Sequence, residues 1–322
     1  MRAMILQELG MPLRLRALPV PEPGDGEVLL RVAAAGVNFA DLLIMEGRYQ
    51  ERPALPFSPG MEVCGTVEAV GPGVSTPAVG TRVAAFSSHG GMAELACFPA
   101  GQCIAVPDGM SSAEAAGFLV AYGTSHLGLV RRARLKSGES LLVLGAAGGI
   151  GRTAVEVGAI LGARVIACAS SEAKLKVASE AGAHELVNTS TDDIRAATLR
   201  LGGADVVFDP VGGDQFKAAM RASNPEARLM PVGFASGEAP QIPANILLVK
   251  NLTVVGFYWG GYMRFNRAAI ADSARALLEL HGRRRLRPHI CRQLRLEEAN
   301  AAFELLRSRT ATGKVIVAVG ES

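Results

Sequence analysis

The sequence predicts an α/β protein in which a β domain is followed by a doubly wound parallel sheet. Three observations support this prediction. About the first 110 residues contain short apolar runs separated by Gly and Pro, whereas strand-length and helix-length segments alternate from Ser111 onward. In addition, a glycine-rich turn at residues 145–151 joins one of these strands to the helix that follows it. The length of 322 residues also favours about two domains.

The N-terminal part of the chain has the pattern of short strands with frequent turns. Its apolar runs are Val28–Ala35, Val63–Val70, Arg82–Phe86 and Met92–Phe98. Turn sequences such as Gly71-Pro72-Gly73 separate them, which is typical of a β-barrel or a β-sandwich. One helix is predicted at Asn38–Glu46, where the apolar residues follow helical spacing in part.

Strands and helices alternate in the middle of the chain. Ser111 and Glu114 have the spacing of a capping box, which predicts the start of a helix. The predicted strands are Ser140–Leu144, Arg164–Cys168, Glu185–Val187, Asp205–Phe208, Arg228–Val232 and Leu252–Phe257. The predicted helices are Gly149–Leu161, Glu172–Ala181, Asp192–Leu201 and Asp214–Ala222. This alternation predicts a parallel sheet with helices on both faces.

The last segment is predicted to contain two helices and two strands. In order these are helix Arg267–Leu280, strand Arg287–Arg292, helix Leu296–Leu306 and strand Gly313–Val319. The doubly wound unit therefore lies between an N-terminal β domain and a C-terminal tail. That tail could return to complete the first domain.

Composition excludes several classes of protein. The chain is 49% hydrophobic and 20% charged, which is typical of a folded domain. No apolar run reaches the roughly 18 residues of a membrane span, and the N-terminus does not resemble a signal peptide, so we expect a cytoplasmic protein without a membrane partner. The five cysteines form no C-x-x-C pair, which disfavours a disulfide framework or a four-cysteine zinc lobe. A net charge of +3 is too small to imply a nucleic-acid partner.

The most informative stretch is the glycine-rich turn. In the G-x-G-x-x-G register the first glycine is replaced by Ala146, while Gly148 and Gly151 keep the other two positions. Gly148 would let the backbone approach a pyrophosphate, and Gly151 would let the helix pack closely on the strand. The helix N-terminus would add N–H groups and a positive dipole end. We therefore predict a dinucleotide site at Gly148, Gly149, Ile150 and Gly151.

The end of the next strand indicates which dinucleotide is bound. A site for NADH would place Asp or Glu there to bind the ribose 2′-hydroxyl, but this strand ends in Ala169-Ser170. The hydroxyls of Ser170 and Ser171 and the ammonium of Lys174 suit a 2′-phosphate. Glu172 complicates this interpretation, and we take it as an acidic residue in the first turn of a helix. NADPH is thus the predicted cofactor.

Several short motifs occur along the chain in a fixed order. They are Ala34–Asp41, Pro59–Gly65, Ala121–Ser125, residues 145–151, Asp209–Gly213 and Thr312–Val315. In order and spacing they resemble those of the medium-chain dehydrogenase/reductases, and most closely the zinc-independent, zeta-crystallin-like quinone oxidoreductase branch. The resemblance implies a GroES-like β-barrel catalytic domain, built from both chain ends, and a Rossmann domain with a doubly wound parallel sheet. It also implies a cofactor in the cleft between the domains.

The resemblance sets the expected domain limits. The GroES-like domain is expected at residues 1–118, the Rossmann domain at 119–261, and the return to the catalytic domain at 262–322. It also implies a homodimer, for which the apolar segment Leu252–Tyr258 could pair edge to edge with its twin.

Zinc is not expected in this chain. Zinc-dependent alcohol dehydrogenases of the superfamily resembled here hold the ion with thiolate and imidazole ligands. At the matching positions this chain has Asn38, Met61 and, at the last, Val120 or a residue near it. Glu62 remains, but one carboxylate cannot hold zinc, and the five histidines form no ligand cluster. No metal site is therefore predicted.

Without zinc, the expected chemistry is hydride transfer from a reduced nicotinamide to a small-molecule acceptor that needs little electrophilic help. Quinones and activated enones qualify because their developing charge is delocalised. Asn38 and Tyr49 are the candidate catalytic donors, and their spacing resembles that of the quinone reductase branch. In that branch a second Tyr often follows the Asn by five residues, where this chain has Leu43. Asn38 is equally well explained as a helix N-cap, and Tyr49 as a half-buried loop aromatic.

Other cofactor contacts are implied by matching segments. Thr124 resembles a residue near the nicotinamide, and Gly233 and Phe234 follow a strand at the carboxyl end of the sheet. The remaining candidates are Asn38, Asn188, Phe257, Tyr258 and Arg309. Phe257 and Tyr258 are explained equally well as packing at a dimer edge. Asn188 stands at a family position that contacts the adenosine and commonly holds Tyr or Asp, so this chain departs from the family pattern there.

Two alternative functions remain open. One is an enoyl-thioester or 2-alkenal reductase of the same fold, which would need a firm proton donor. The other is a cofactor-binding scaffold or RNA-binding protein of the zeta-crystallin type. Its support is the run from His281 to His289, which contains four arginines. A solvated connector explains this run better than a phosphate-binding surface.

Overall fold

The computed structural model describes residues 1–320, which form two compact units. The first unit contains Met1–Val120 and the segment from Pro288 onward, and the second contains Ala121–Arg287. The C-terminal return therefore begins at residue 288, not at residue 262 as the sequence analysis expected. Residues 321 and 322, the end of that predicted segment, lie outside the described residues.

Residues 262–287 group with the second unit because polar contacts tie them to it. Nδ1 of His126 lies 2.8 Å from Oγ of Ser273. The backbone N–H of Arg287 donates to the carboxylate of Glu156 at 2.6 Å. Leu286 is also buried, so this segment contributes apolar as well as polar contacts.

The first unit is built mainly from antiparallel strands. With labels in chain order, they are β1 (Arg2–Ile5), β2 (Arg14–Ala17), β3 (Glu27–Val37), β4 (Glu62–Val70), β5 (Arg82–Phe86), β6 (Leu95–Pro99), β7 (Cys103–Ala105), β14 (Ile290–Arg295) and β15 (Lys314–Ala318). One sheet has the order β14-β15-β3-β4-β5-β7, with β6 also paired to β3, while β1 and β2 form a separate pair. Both chain ends therefore contribute to this unit.

Strand β3 organises the first unit because it pairs with β4, β6 and β15. Its long apolar run is buried almost throughout, as expected for a central strand. Leu30, Phe98 and Phe303 are among the buried side chains of this core. Burying a side chain of this size contributes about 1.5–3 kcal/mol. The polar residue Asn38 follows directly at the end of this rigid strand.

Short helices flank this sheet. They are α1 (Phe39–Met45), α2 (Ser112–Ala116) and α11 (Ala299–Arg307), with 3-10 turns at Ala100–Gln102 and Leu296–Glu298. Asn38 is the N-cap residue of α1, which is one of the two roles considered for it from the sequence. The predicted capping box of α2 is confirmed, because Ser111 N–H donates to Glu114 and Glu114 N–H donates to the Ser111 hydroxyl.

The second unit is a six-stranded parallel sheet with helices. Its strands are β8 (Ser140–Val143), β9 (Arg164–Ala169), β10 (Glu185–Asn188), β11 (Ala204–Asp209), β12 (Ser223–Pro231) and β13 (Thr253–Val254). Its helices are α3 (Leu119–Leu127, whose first two residues belong to the first unit), α4 (Gly149–Ile160), α5 (Glu172–Glu180), α6 (Ile194–Arg200), α7 (Gly213–Ala222), α8 (Ala244–Lys250), α9 (Tyr262–Phe265) and α10 (Arg267–Gly282), with a π-helical turn at Gly128–Arg132 after α3. The strand order is β10-β9-β8-β11-β12-β13. The predicted doubly wound sheet is confirmed, and the order reverses between β8 and β11, where such sheets bind ligands.

Several predicted elements have other bounds in the structure, and three of the differences have an identifiable origin. The strand expected at Leu252–Phe257 is only Thr253–Val254, because the side chain of Arg132 donates to the C=O of Gly256 beyond it. The strand expected at Arg287–Arg292 is Ile290–Arg295, whose register is set by its pairing with β15. The helix expected to begin at Leu296 starts with a 3-10 turn before α11.

Within residues 1–320, no helix has the length and apolar character that a membrane crossing requires.

Candidate active site and cofactor site

The glycine-rich turn has the geometry that close backbone packing requires. Gly145 has a positive φ of 57°, and a Cβ on Gly151 would lie 2.1 Å from the Gly145 carbonyl oxygen. Gly151 is therefore required for helix α4 to approach the turn. Gly148 is the N-cap residue of α4, and a Cβ there would meet only the Gly145 oxygen, at 3.5 Å. The turn and the first N–H groups of a twelve-residue helix can thus receive a phosphate group.

A buried aspartate shapes the neighbouring turn. Asp209 ends strand β11, which pairs directly with β8. Its carboxylate accepts hydrogen bonds from the backbone N–H groups of Val211 at 2.7 Å and Gly212 at 2.9 Å. Burial raises the pKa of Asp209 to about 6, and these two hydrogen bonds oppose that rise. The side chain of Val211 lies against Gly145, so this turn supports the phosphate-binding turn.

The residues predicted to receive a 2′-phosphate lie together at the end of β9. Nζ of Lys174 lies 3.3 Å from Oγ of Ser170. Ser171 is the N-cap residue of α5, because its hydroxyl accepts the backbone N–H of Lys174 at 3.4 Å. Asn188, at the end of the adjacent strand β10, donates to Glu172 at 2.8 Å. The structure thus brings these five residues to one edge of the parallel sheet.

The other predicted cofactor residues are dispersed. Thr124 is buried on α3, and the half-buried Ile150 accepts hydrogen bonds at its carbonyl from the hydroxyls of Ser125 and Thr153. Gly233 lies against Pro210, and the side chain of Phe234 is exposed. The ring of Phe257 packs edge to face on Tyr262, with centroids 5.9 Å apart, and the Tyr258 ring folds back on the backbone of Gly260 and Gly261.

Two candidate cofactor residues belong to the first unit. Arg309 follows α11, is exposed and has a positive φ of 57°. Asn38 is buried at the end of β3.

Asn38 is part of a buried polar cluster. Its Oδ1 accepts a hydrogen bond from Nζ of Lys314 at 2.7 Å, and its Nδ2 donates to Oε2 of Glu62 at 3.1 Å. Lys314 Nζ also lies 3.1 Å from the same Glu62 oxygen and 3.3 Å from the Val37 carbonyl. The other Glu62 oxygen accepts the backbone N–H of Val120 at 2.9 Å. The Asn38 amide is therefore held on both sides by the charged pair of Lys314 and Glu62.

A second carboxyl group lies next to this cluster. Asp41 accepts the N–H of Asn38 at 2.9 Å with one oxygen and the N–H of Met61 at 3.0 Å with the other. Burial raises the pKa of Asp41 to about 7, while these hydrogen bonds and the charge of Lys314 oppose the rise. Asp41 thus joins the start of α1 to the start of β4.

Tyr49 lies apart from these hydrogen bonds in the chain segment after α1. Its side chain is half-buried and packs against the core of the first unit. The backbone turns at Gly47, which has a φ of 69°. Arg48 N–H donates to the carbonyl of Leu43, and this turn fixes the backbone that leads to Tyr49.

Sequence reasoning missed two buried polar clusters, one in each unit. Lys314 was recognised only as part of a motif, and Glu62 only as an insufficient zinc ligand. In the second unit, Tyr122 donates to Glu156 at 2.6 Å, and Arg152 also contacts Glu156. Burial raises the pKa of Glu156, although these partners and Arg287 oppose the rise. Charged residues inside otherwise apolar segments were the available signal for Glu62, Lys314, Arg152 and Glu156.

Two family models match the chain. One is described as the alcohol dehydrogenase GroES-like domain and matches residues 24–108, and the other is described as a zinc-binding dehydrogenase and matches residues 149–274. A bovine protein named quinone oxidoreductase-like protein 2 is 39% identical, over 99% of this chain and 92% of its own length.

Solved structures with the same fold cover nearly the whole chain. The quinone oxidoreductase from Thermus thermophilus, also solved in complex with NADPH, is 37% identical with a TM-score of 0.87, over 99% of this chain and 100% of that one. A mycobacterial protein complexed with NADPH is 32% identical with a TM-score of 0.93, also over 99% and 100%.

The fold, the glycine-rich turn and these matches define an oxidoreductase of the medium-chain dehydrogenase/reductase superfamily. Within that superfamily, the chain belongs to the zinc-independent quinone oxidoreductase branch.

The residues of the first unit do not fit a zinc ion, although one family model carries zinc in its description. Of the three positions expected to match zinc ligands, Asn38 offers an amide oxygen that binds the Lys314 ammonium, and Val120 offers a backbone N–H to Glu62. Met61 is half-buried against the apolar core. Of the two carboxyl groups here, Glu62 is paired with Lys314. Asp41 accepts the backbone N–H groups of Asn38 and Met61. The oxygens of Asn38 and Glu62 thus bind the ammonium group of Lys314. No step of the chemistry is assigned to a metal.

Proposed function

We propose that the protein is an NADPH-dependent reductase of quinones or activated enones. The observation that carries this proposal is the end of β9, where Lys174 and Ser170 lie 3.3 Å apart beside the phosphate-binding turn. A cation and a hydroxyl at this position favour a 2′-phosphate, whereas an NADH site would have an acidic residue at the strand end. The two solved relatives described in complex with NADPH support this choice of cofactor.

Residues of the second unit would hold this cofactor. The backbone at Gly148–Gly151 and the N-terminus of α4 would bind the pyrophosphate. Ser170, Ser171 and Lys174 would bind the 2′-phosphate. Thr124, Phe257 and Tyr258 remain candidates for the nicotinamide side, and Gly233 and Phe234 for a contact at the carboxyl end of the sheet. The first unit offers Asn38 as a further candidate, and Arg309 as a candidate for the 2′-phosphate. The bound, reduced nicotinamide supplies the hydride.

The acceptor would depend on neutral groups of the first unit. Tyr49 is the proposed hydrogen-bond donor to the acceptor, because its phenol can donate to a developing oxyanion. Asn38 is the second proposed donor of this unit, and its amide is held in place by hydrogen bonds to Lys314 and Glu62. A quinone or conjugated enone suits such a site, since its negative charge is delocalised. The bovine relative's name supports a quinone as the acceptor.

An acceptor panel tests the function. The purified protein is assayed with NADPH and with NADH against 1,4-benzoquinone, phenanthrenequinone, a 2-alkenal and an enoyl thioester. We expect oxidation of NADPH with a quinone or an enone, and a clearly higher kcat/KM for NADPH than for NADH. Activity with the enoyl thioester alone would favour the alternative reductase function. No reduction of any acceptor, in a protein that binds NADPH, would contradict the proposed activity.

We also propose a homodimer. Strand β13 is at the edge of the parallel sheet, and the preceding helix α8 exposes Leu248 and Val249, each 76% accessible. An exposed strand edge next to exposed apolar side chains favours pairing with a second copy. Light scattering after gel filtration should give twice the mass of the chain, and Leu248→Glu/Val249→Glu should reduce it to that of a monomer. A wild-type protein that elutes as a monomer contradicts this proposal.

A further inference from the structure

Strands β9 and β10 end side by side, because Asn188 is paired in register with Ala169. Ser170 follows β9, and helix α5 begins at Glu172. The Asn188 side chain reaches this helix, since its Nδ2 donates to Oε1 of Glu172 at 2.8 Å. The acidic residue closest in sequence to the proposed 2′-phosphate position is therefore held by the neighbouring strand.

The turn after β10 sets the orientation of the Asn188 amide. Its Oδ1 accepts the backbone N–H of Ser190 at 3.1 Å, and its own backbone N–H donates to Asp192 at 3.0 Å. Because the amide oxygen is used in this way, the amide nitrogen is the atom that faces Glu172. The Ser190 hydroxyl donates to the carbonyl of Ser170 at 2.8 Å, which ties this turn to the end of β9.

The position of the Glu172 carboxylate affects a 2′-phosphate through charge. A carboxylate repels the phosphate group and attracts the nearby ammonium of Lys174, so its freedom to move toward Ser170 would weaken binding. NADH carries a hydroxyl in place of that phosphate and would feel little of this repulsion. The hydrogen bond from Asn188 that keeps the Glu172 carboxylate at the end of β10 should therefore favour the binding of NADPH and have little effect on NADH.

We propose that Asn188 is a specificity-determining residue, which favours a cofactor with a 2′-phosphate by holding Glu172 at the end of β10. The inference rests on the proposed function, because it takes the end of β9 as the 2′-phosphate site. Asn188 acts through Glu172 and is thus a positioning residue, whereas the sequence analysis gave it only as a candidate cofactor contact.

A double-mutant cycle on the full-length chain tests the inference. The Kd values of NADPH and NADH are measured by fluorescence titration for the wild type, Asn188→Ala, Glu172→Gln and the double variant. We expect Asn188→Ala to weaken NADPH binding about fivefold to tenfold while NADH changes by less than about twofold. In the Glu172→Gln background, Asn188→Ala should change neither Kd by more than about twofold.

A matched control separates this effect from damage to the turn. Ser190→Ala removes the hydroxyl that bonds to Ser170 but leaves the Asn188–Glu172 hydrogen bond, so the ratio of the two Kd values should not change. If Asn188→Ala weakens NADPH equally with and without the Glu172 carboxylate, or weakens both cofactors equally, the inference alone is overturned. A wild type that binds both cofactors equally overturns the proposed cofactor and the inference together.

Discussion

Nζ of Lys314 lies 3.1 Å from Oε2 of Glu62, and both side chains are buried in the first unit. The two residues are 252 positions apart in the chain. Lys314 begins strand β15 and Glu62 begins strand β4, and both strands belong to one sheet. The ion pair therefore joins the C-terminal segment to the N-terminal part of the chain at the place where Asn38 is held.

Removal of the cation should destabilise the protein strongly. Lys314→Met leaves the Glu62 carboxylate buried without its counter-ion, which should lower the free energy of unfolding by about 3–5 kcal/mol. Lys314→Met/Glu62→Gln should recover part of this loss, since the carboxylate left without its counter-ion is removed as well. Urea denaturation of the three proteins measures the effect.

The control for this comparison is Lys217→Met. Lys217 pairs on the surface with Asp214, whose side chain is 93% exposed, so its replacement should leave stability nearly unchanged. Equal free energies of unfolding for the Lys314→Met and Lys217→Met proteins would show that loss of the buried pair costs no more stability than loss of a surface pair.

Asp41 should make stability depend on pH. Burial raises its pKa to about 7 in the folded protein, above the value of about 3.9 of an unfolded Asp. The folded state therefore holds the proton more tightly, and the resulting stabilisation is fully present below about pH 4 and is lost as the pH rises through about 7. Relative to Asp41→Asn, the wild type should thus lose stability across this interval.

Urea unfolding at several pH values between about 4.5 and 8 measures this difference. The contribution of Asp209 is common to both proteins and cancels in the comparison. Two parallel stability curves would mean that Asp41 titrates at an ordinary pKa in the folded state.

Two glycines of the phosphate-binding turn should respond differently to substitution. Gly151→Ala places a Cβ 2.1 Å from a backbone oxygen, so it should lower both NADPH affinity and the free energy of unfolding, the latter by about 1–3 kcal/mol. Gly148→Ala meets only an ordinary contact at 3.5 Å, so stability should change by less than about 1 kcal/mol. Its methyl group should nevertheless reduce NADPH affinity at least about tenfold, because the backbone can no longer approach the phosphates.

Thermal unfolding and NADPH titration measure the two effects separately. Gly282→Ala is the control, because a Cβ at this last residue of α10 has no atom within 4 Å. Unchanged NADPH affinity in Gly148→Ala would argue against phosphate binding at this turn.

Tyr49→Phe should distinguish the possible acceptors. Loss of a required general acid lowers kcat by about 100-fold or more, which is expected if an enoyl thioester is the substrate. A quinone can take its protons from water, so its kcat should fall by less than about tenfold. Steady-state rates at saturating NADPH measure both, and Tyr262→Phe controls for the loss of a tyrosine hydroxyl elsewhere. An equally large loss with the quinone would assign the proton transfer to Tyr49 for that acceptor too.

The sequence predicted what depends on local pattern. The alternation of strands and helices and the Ser111–Glu114 cap arise from neighbouring residues, and both are present in the structure. The shortened strand at Thr253–Val254 was not predictable, because a distant side chain, Arg132, takes the carbonyl of Gly256.

The buried polar cluster lay beyond sequence reasoning for a similar cause. Lys314 and Asn38 are 276 positions apart, and only the pairing of β15 with β3 brings them together. Asn188 was predicted at the cofactor site, but its contact with Glu172 depends on the register of β10 against β9. Local patterns therefore identify candidate residues, while their partners depend on the topology of the sheets.

The carboxylate of Glu156 binds residues from both ends of the second unit. One of its oxygens accepts the hydroxyl of Tyr122, and the other accepts the N–H of Arg287, at 2.6 Å in both cases. Tyr122 is the second residue of the second unit and Arg287 is its last. The unit thus begins and ends at one side chain, as an inserted domain does. A fragment of residues 121–287 should therefore fold when it is expressed alone. Its two ends should also tolerate direct linkage in a circular permutant.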